Sequence, residues 1–188
     1  MGTSLASLLE NYQHTPCLFQ LADRLSYAPP QHIQLKNLQG SAPAFMLGSI
    51  FLNESCSNLN HVIICDDAEA AAYLHNSLEN LTGALNLFYF PSSFKNRKNF
   101  RLLNSSHVML RTETLTKFAS PTGNRTGALI TYPEALFEKV VIPSTLASNI
   151  IYIKTGDVLD INGLMEKLIM YGFERTDFVY EPGQFAVR

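Results

Sequence analysis

The residues best placed for chemistry are the run Asn37-Leu38-Gln39-Gly40-Ser41-Ala42-Pro43-Ala44, which falls where a strand pattern gives way to a helix pattern. A nucleotide-binding loop at such a turn needs Gly at its sixth position, then Lys, then Ser or Thr. Here those positions hold Ala42, Pro43 and Ala44. Without the Lys nothing neutralises the β- and γ-phosphates, and without the hydroxyl nothing holds Mg²⁺. Pro43 also removes one backbone N–H from any phosphate cradle. The run is therefore either an ordinary strand-to-helix turn or a degenerate nucleotide loop made up of Asn37, Gly40, Ser41, Ala42, Pro43 and Ala44, inactive in both cases.

Asp66-Asp67, after the apolar run Val62 to Cys65, has the look of a Mg²⁺-binding segment. With no loop lysine upstream, a helix N-cap is the better reading. Lys95, Arg97, Lys98 and Arg101 cluster beside Phe94 and Phe100. Basic residues interleaved with aromatics can hold a phosphate backbone, and they serve equally well as a solvated connection. The five histidines form no His-x-x-x-His pair and have no carboxylate at ligand spacing. No Gly-x-Ser-x-Gly elbow is present. Neither a catalytic residue, nor a metal site, nor a cofactor is expected. Residue by residue, the chain reads as a binding or structural module.

The elements that must position these residues follow from periodicity. Leu5, Leu8, Leu9 and Tyr12 recur at helical spacing, and a second amphipathic piece runs from about Cys17 to Leu25. After Tyr27-Ala28-Pro29-Pro30, alternating Ile33, Leu35 and Leu38 predict a strand, and Ala44 to Leu52 a helix. Val62 to Cys65 predicts a fully buried strand, followed by an Ala-rich helix ending near Leu81. Leu85 to Phe90 predicts a strand, Ser92 to Arg101 a polar loop, Ser105 to Phe118 a helix and Ala128 to Tyr132 a strand. Pro133 then stands where a helix favours its first residue. This alternation is the rhythm of a parallel sheet with helices on both faces. Ile150 to Thr155 and Gln184 to Arg188 predict further strands, the second after the turn Glu181-Pro182-Gly183, with a helix opened by Asp160 between them. The expected organisation is an N-terminal helical segment (1–30), an α/β domain (31–145) and the start of a small α+β domain (146–188). The last run reaches Arg188 without a turn or cap, which predicts a cut within a longer protein.

Composition narrows the function. The 188 residues are 46% hydrophobic and only 16% charged, which excludes disorder as the main state and suggests surface covered by more protein. A net charge of −2 gives no global field for nucleic acid, so any DNA contact must be local. Three cysteines are too few for a disulfide scaffold. The sequence opens on no signal peptide, and no apolar run is long enough to span a bilayer. A cytoplasmic protein is expected, in which the Asn-x-Ser/Thr triplets at Asn53, Asn80, Asn104 and Asn124 are chance matches.

The run Gly172-Phe173-Glu174-Arg175-Thr176-Asp177-Phe178-Val179-Tyr180-Glu181-Pro182-Gly183-Gln184-Phe185-Ala186-Val187-Arg188 resembles a segment of the transcription-repair coupling factor (Mfd) family, and UvrB carries a related version. The match is specific over about 150–188 and looser, in the same order, from Ile33 to Val141, including Thr131-Tyr132-Pro133-Glu134-Ala135-Leu136. Residues 1 to about 30 carry no resemblance. The resemblance implies a UvrB-like module: a helicase-like α/β domain that has lost its nucleotide loop, plus a small domain that binds UvrA. It places Arg188 on the UvrA-facing surface, with the rest of that surface beyond residue 188. It further implies a full-length ATP-dependent DNA translocase that displaces stalled RNA polymerase, with motor, polymerase contact and most DNA contacts in other domains. Ala42, Pro43 and Ala44 fit this family better than UvrB, whose loop keeps Lys and Thr. Leu87 to Phe100 also offers no Tyr-rich DNA-clamping insertion of the UvrB kind. A UvrB-like damaged-DNA binder and an ATP-hydrolysing helicase domain are the alternatives.

Overall fold

The computed structural model describes residues 4–26, 32–83, 86–96, 99–119, 126–181 and 183–187, without the side chains of 95, 96, 99–102 and 119. In chain order come α1 (Leu5–Gln13), α2 (Pro16–Ser26), α3 (Ala42–Phe51), β1 (Asn60–Ile64), α4 (Ala68–Thr82), β2 (Leu87–Tyr89), β3 (Phe94–Asn96) and β4 (Asn99–Leu103). They are followed by α5 (Ser105–Ala119), β5 (Gly127–Thr131), α6 (Pro133–Phe137), α7 (Pro143–Asn149), α8 (Ile161–Met170), β6 (Glu174–Arg175) and β7 (Gln184–Phe185). Contacts divide the chain into two compact units, Met1–Pro91 with Ser120–Phe137, and Ser92–Ala119 with Glu138–Arg188. This is a different cut from the sequential one near residue 145, because each unit is built from two separate stretches of chain.

The first unit is a mixed α/β assembly around a small parallel sheet of order β1-β5-β2. Ile63 lies beside Ile130, and Ile130 beside Tyr89, so these side chains share one face. Ile130, Tyr132, Ala71, Leu78 and Ala135 form the core there, flanked by Leu47, Phe51, Ile63, Cys65, Leu74, Leu87 and Tyr89. At the end of β5 the chain stays tied in: Thr131 is fully buried and its hydroxyl donates to the Phe90 carbonyl at 2.8 Å. At Gly48 three helices converge, since a Cβ there would meet Leu9 Cδ1 at 3.6 Å, Leu78 Cδ2 at 3.8 Å and Thr82 Cγ2 at 3.4 Å. A second cluster, Leu18, Leu21, Ala22, Ile50 and Cys56, locks α2 against α3. The N-terminal helices are therefore part of the first unit and not a separate segment.

Several expectations are corrected. Among the described residues of this unit, the helices of the packed core lie on one face of the sheet, and the other face buries Thr131 of the central strand but leaves the edge strand β1 open. The packed core joins α3 and α4 to one face, while Val62 and Ile64 are 59% and 58% exposed on the other. The run Val62 to Cys65 is thus half-buried, because only Ile63 and Cys65 turn to the core. No strand forms over 33–38: residues 32–39 have no regular secondary structure, Leu35 and Leu38 are exposed and Asn37 takes a φ of 64°. Only Ile33 is anchored, against the cluster of α2 and α3. The helix predicted from Ala44, the strand after it, the Ala-rich helix and the strand before Pro133 all form within one to three residues of their expected bounds.

In the second unit, the expected polar loop 92–101 contains β3 and pairs it antiparallel with β4, Phe94 opposite Leu103 and Asn96 opposite Asn99. Residues 151–154 form no strand, and Tyr152 is 76% exposed. Instead Asp157 turns the segment, its carboxylate accepting from the Lys154 N–H at 2.8 Å while Gly156 adopts a φ of 98°. Asp160 caps α8 as expected, accepting from the Gly163 N–H at 3.1 Å. The C-terminal strand β7 pairs in parallel with β6, Glu174 beside Gln184 and Arg175 beside Phe185, so the two do not form a hairpin.

Leu78 is fully buried at the meeting of α1, α3 and α4. Truncating it leaves a cavity that helices held at Gly48 cannot close. Leu78→Ala should lower the unfolding free energy by about 2–5 kcal/mol in urea titration.

Candidate functional site

At the loop, two left-handed residues set the path of the chain: Asn37 at a φ of 64° and Gly40 at 57°. An asparagine tolerates this conformation better than most residues, and glycine does so at no steric cost. The Gln39 carbonyl then accepts from the Ala42 N–H at 3.1 Å, and the Ser41 carbonyl from the Phe45 N–H at 3.2 Å. Ser41 occupies the N-cap position of α3 without making a side-chain capping bond, and Pro43 lies in the first turn. The Ala42 donor is thus already used and Pro43 has none. Ala44 is only 5% exposed and faces protein. A phosphate here would find no lysine at position 43, no hydroxyl at position 44 and a reduced set of amides.

Asp66 and Asp67 follow β1 and are exposed. Asp67 is the N-cap of α4, its carboxylate accepting from the Ala70 N–H at 2.8 Å. Among the described residues no group of three His, Cys, Asp or Glu side chains comes together. The backbones of Lys95 and Arg101 belong to β3 and β4, while their side chains, and Arg97 and Lys98 altogether, lie outside the described residues. Arg188 lies outside them as well. Before it, β7 stops at Phe185, Gln184, Phe185 and Ala186 are all half-buried, and Val187 is 40% exposed.

The most developed polar constellation of the second unit is one that sequence reasoning missed. The Glu138 carboxylate accepts from the Ser92 hydroxyl at 3.1 Å, the Ser93 N–H at 2.9 Å and the Ser93 hydroxyl, and lies 3.4 Å from Arg111 Nε. Arg111 is 5% exposed. Burial pushes the Glu138 carboxyl up, but the Ser93 hydroxyl and amide, the Arg111 charge and the Ser92 hydroxyl together hold it below its usual value. On the other side of the corner, His107 Nδ1 lies 2.8 Å from the Ser92 carbonyl oxygen, and the Asn104 N–H donates to the Ser93 carbonyl at 2.8 Å. Asn104 also caps α5 through the Ser106 and His107 N–H groups. One signal was available: Arg111 shares a helical stripe with His107, Thr114 and Phe118, and a lone charge on such a stripe calls for a partner.

The described residues also line a cavity of about 210 Å³ at the amino-terminal edge of the parallel sheet, bounded by Phe51, Cys56, His61, Asn86 and Gly127. The His61 ring packs 4.9 Å from that of Phe51, and its Nε2 is buried without a hydrogen-bond partner among the described residues. Burial lowers the His61 pKa, partly opposed by a hydrogen bond to the Cys56 backbone. An open groove of about 510 Å³ runs along α8 beside Ile151, Leu159, Leu164 and Met170. Among the described residues no helix is long and apolar enough to cross a membrane.

No protein-family model and no curated protein sequence matches this chain.

If Asp67 is a cap and not a metal ligand, Asp67→Ala should cost about 0.5–2 kcal/mol in urea unfolding, equally with and without Mg²⁺. Asp66→Ala should stay within about 0.5 kcal/mol of the parent. The His61 ring sets a pH dependence of definite sign. Below its usual value of 6.5 the unfolded chain takes up a proton that the folded ring resists. Stability should therefore be complete above that pH and fall as pH drops through the lowered folded value. His61→Leu should flatten this part of a melting-temperature profile.

Proposed function

We propose that this chain is the N-terminal part of the UvrB-like module of a transcription-repair coupling factor, an adaptor without nucleotide turnover that helps recruit UvrA in the cytoplasm. The observation that carries the reading is the ordered run Gly172 to Arg188, in which the family's glycines, charged residues and aromatics stand at their expected spacing. The first turn of α3 supports the inactive half of the proposal. Restoring the loop chemistry there would require a lysine in place of Pro43 and a hydroxyl in place of Ala44, a residue now buried against the protein. In this reading the α/β unit is a degenerate helicase-like scaffold, and RNA polymerase and DNA are engaged by other domains of the full-length protein. UvrA meets the small domain, with Arg188 supplying a forked contact to a carboxylate.

The deciding experiment is capture of purified UvrA by a version of the protein long enough to complete the small domain. Arg188→Ala should weaken that binding by about 1–3 kcal/mol while leaving the melting temperature nearly unchanged. Arg188→Lys should recover only part of the loss, because an ammonium cannot make the forked contact. Absence of UvrA binding by the parent protein would overturn the adaptor reading. For the nucleotide, calorimetry with MgATP should show no micromolar binding, since each missing charge-assisted contact is worth about 1.5–3 kcal/mol. Pro43→Lys alone should not produce hydrolysis, because Ala44 still offers Mg²⁺ no oxygen.

A further inference from the structure

The second unit is assembled from two stretches, Ser92–Ala119 and Glu138–Arg188, whose covalent connection runs through β5 and α6 of the first unit. Within the second unit these stretches are therefore held together by non-covalent contacts alone. The apolar share of those contacts is small on the returning side. Val140, Val141 and Ile142 are 50%, 51% and 63% exposed, and α7, although it packs beside α5, has no buried residue.

The polar share is concentrated at one carboxylate. Glu138 is the first residue of the returning stretch, and Ser92 and Ser93 are the first residues of the other. Four donors converge on the Glu138 oxygens: two hydroxyls, one backbone N–H and the Arg111 guanidinium. The same serine corner is bonded through its carbonyls to His107 and to the Asn104 N–H at the start of α5. One side chain thus bridges the corner, the helix and the returning chain.

We propose that Glu138 is a conformational latch: its carboxylate holds residues 138–149 against the Ser92–Ser93 corner and α5, and its release frees that stretch while the first unit stays folded. A carboxylate suits this role because all of its bonds depend on one charged group. Losing that charge takes from the two hydroxyls, the Ser93 N–H and the guanidinium the acceptor they share, so these bonds go together and not by degrees. The first unit does not share this dependence, since apolar clusters and a hydrogen-bonded ladder hold it. The assignment does not rest on the UvrA reading and stands or falls separately from it.

Native-state hydrogen exchange on the full chain tests it, comparing the parent with Glu138→Gln. The glutamine keeps the shape of the side chain but turns an NH₂ group toward donors that need an acceptor. Amides of α5 and α7 should exchange about 10- to 100-fold faster in the variant, while those of β1, β5 and α4 keep their parent rates. Ser93→Ala, which removes one donor and leaves the charge pair, should give a smaller acceleration in the same two helices. Unchanged rates in α5 and α7 would overturn the latch, and so would an equal acceleration in both units. Should Glu138→Gln fail to fold, the parent decides alone. Its α5 and α7 amides must open together, at lower denaturant than those of β5, and exchange of all elements in a single global step would sink the proposal.

Discussion

The first unit depends on β5 having a strand on each side. It is the central strand of the order β1-β5-β2, and β1 and β2 are hydrogen-bonded to it and not to one another. A parallel strand cannot pair with its neighbour through a tight turn, so each junction needs a helix-containing crossover. The helices α3 and α4 share the resulting core on one face, where Ile130 of β5 and Tyr132 just after it are what they pack upon. Gly127 shows how tight the edge of this arrangement is. A Cβ there would come within 2.7 Å of the Asn86 carbonyl oxygen, so only glycine allows β5 to begin beside β2.

The two units are stabilised by different physics. In the first, apolar burial and helix crossings at Gly48 dominate, and the buried Thr131 hydroxyl is paired to backbone. In the second, large side chains stay in water: Val158, Tyr180 and Met170 are 101%, 82% and 73% exposed. Organisation there comes from caps and polar corners, including Asn104 and Asp160 at helix starts and Gln184 Oε1, which accepts from the Tyr180 and Glu181 N–H groups. Such bonds are individually worth about 1 kcal/mol, so much of this unit sits at the low-stability end of the molecule.

Much of the element order was legible because helices announce themselves through local chemistry. The Asp67 cap, Gly83 in the left-handed conformation after α4, Pro133 at the head of α6 and the Asp160 cap are all decided within a few residues. Strands were harder, since a strand exists only if a partner does. Ile33 to Leu38 and Ile150 to Thr155 carry strand-like residues, yet among the described residues neither segment forms a strand. Ser92 to Arg101 reads as a polar loop because charge masks the pairing of β3 with β4. The turn at Gly40 to Ala44 was readable in its chemistry, because absent side chains are visible in a sequence. The Glu138 network was not, because Ser92, Arg111 and Glu138 meet only after the chain has left the second unit and come back.

That interleaving bears on how the chain is made. As it emerges from a ribosome, β1 and β2 appear well before the strand that must lie between them, and their inner faces have no sheet to complete until residue 131 is out. In the same interval α5 is already present, but the carboxylate that will tie down its serine corner has not been synthesised. The first unit has its whole chain once Phe137 is out, while the second still lacks everything from Glu138 onward, and before residue 131 the partly made chain must keep Ile63, Leu87 and Arg111 waiting together. A nascent chain of this design is most exposed to wrong pairing, and most in need of a chaperone, shortly before Glu138 arrives.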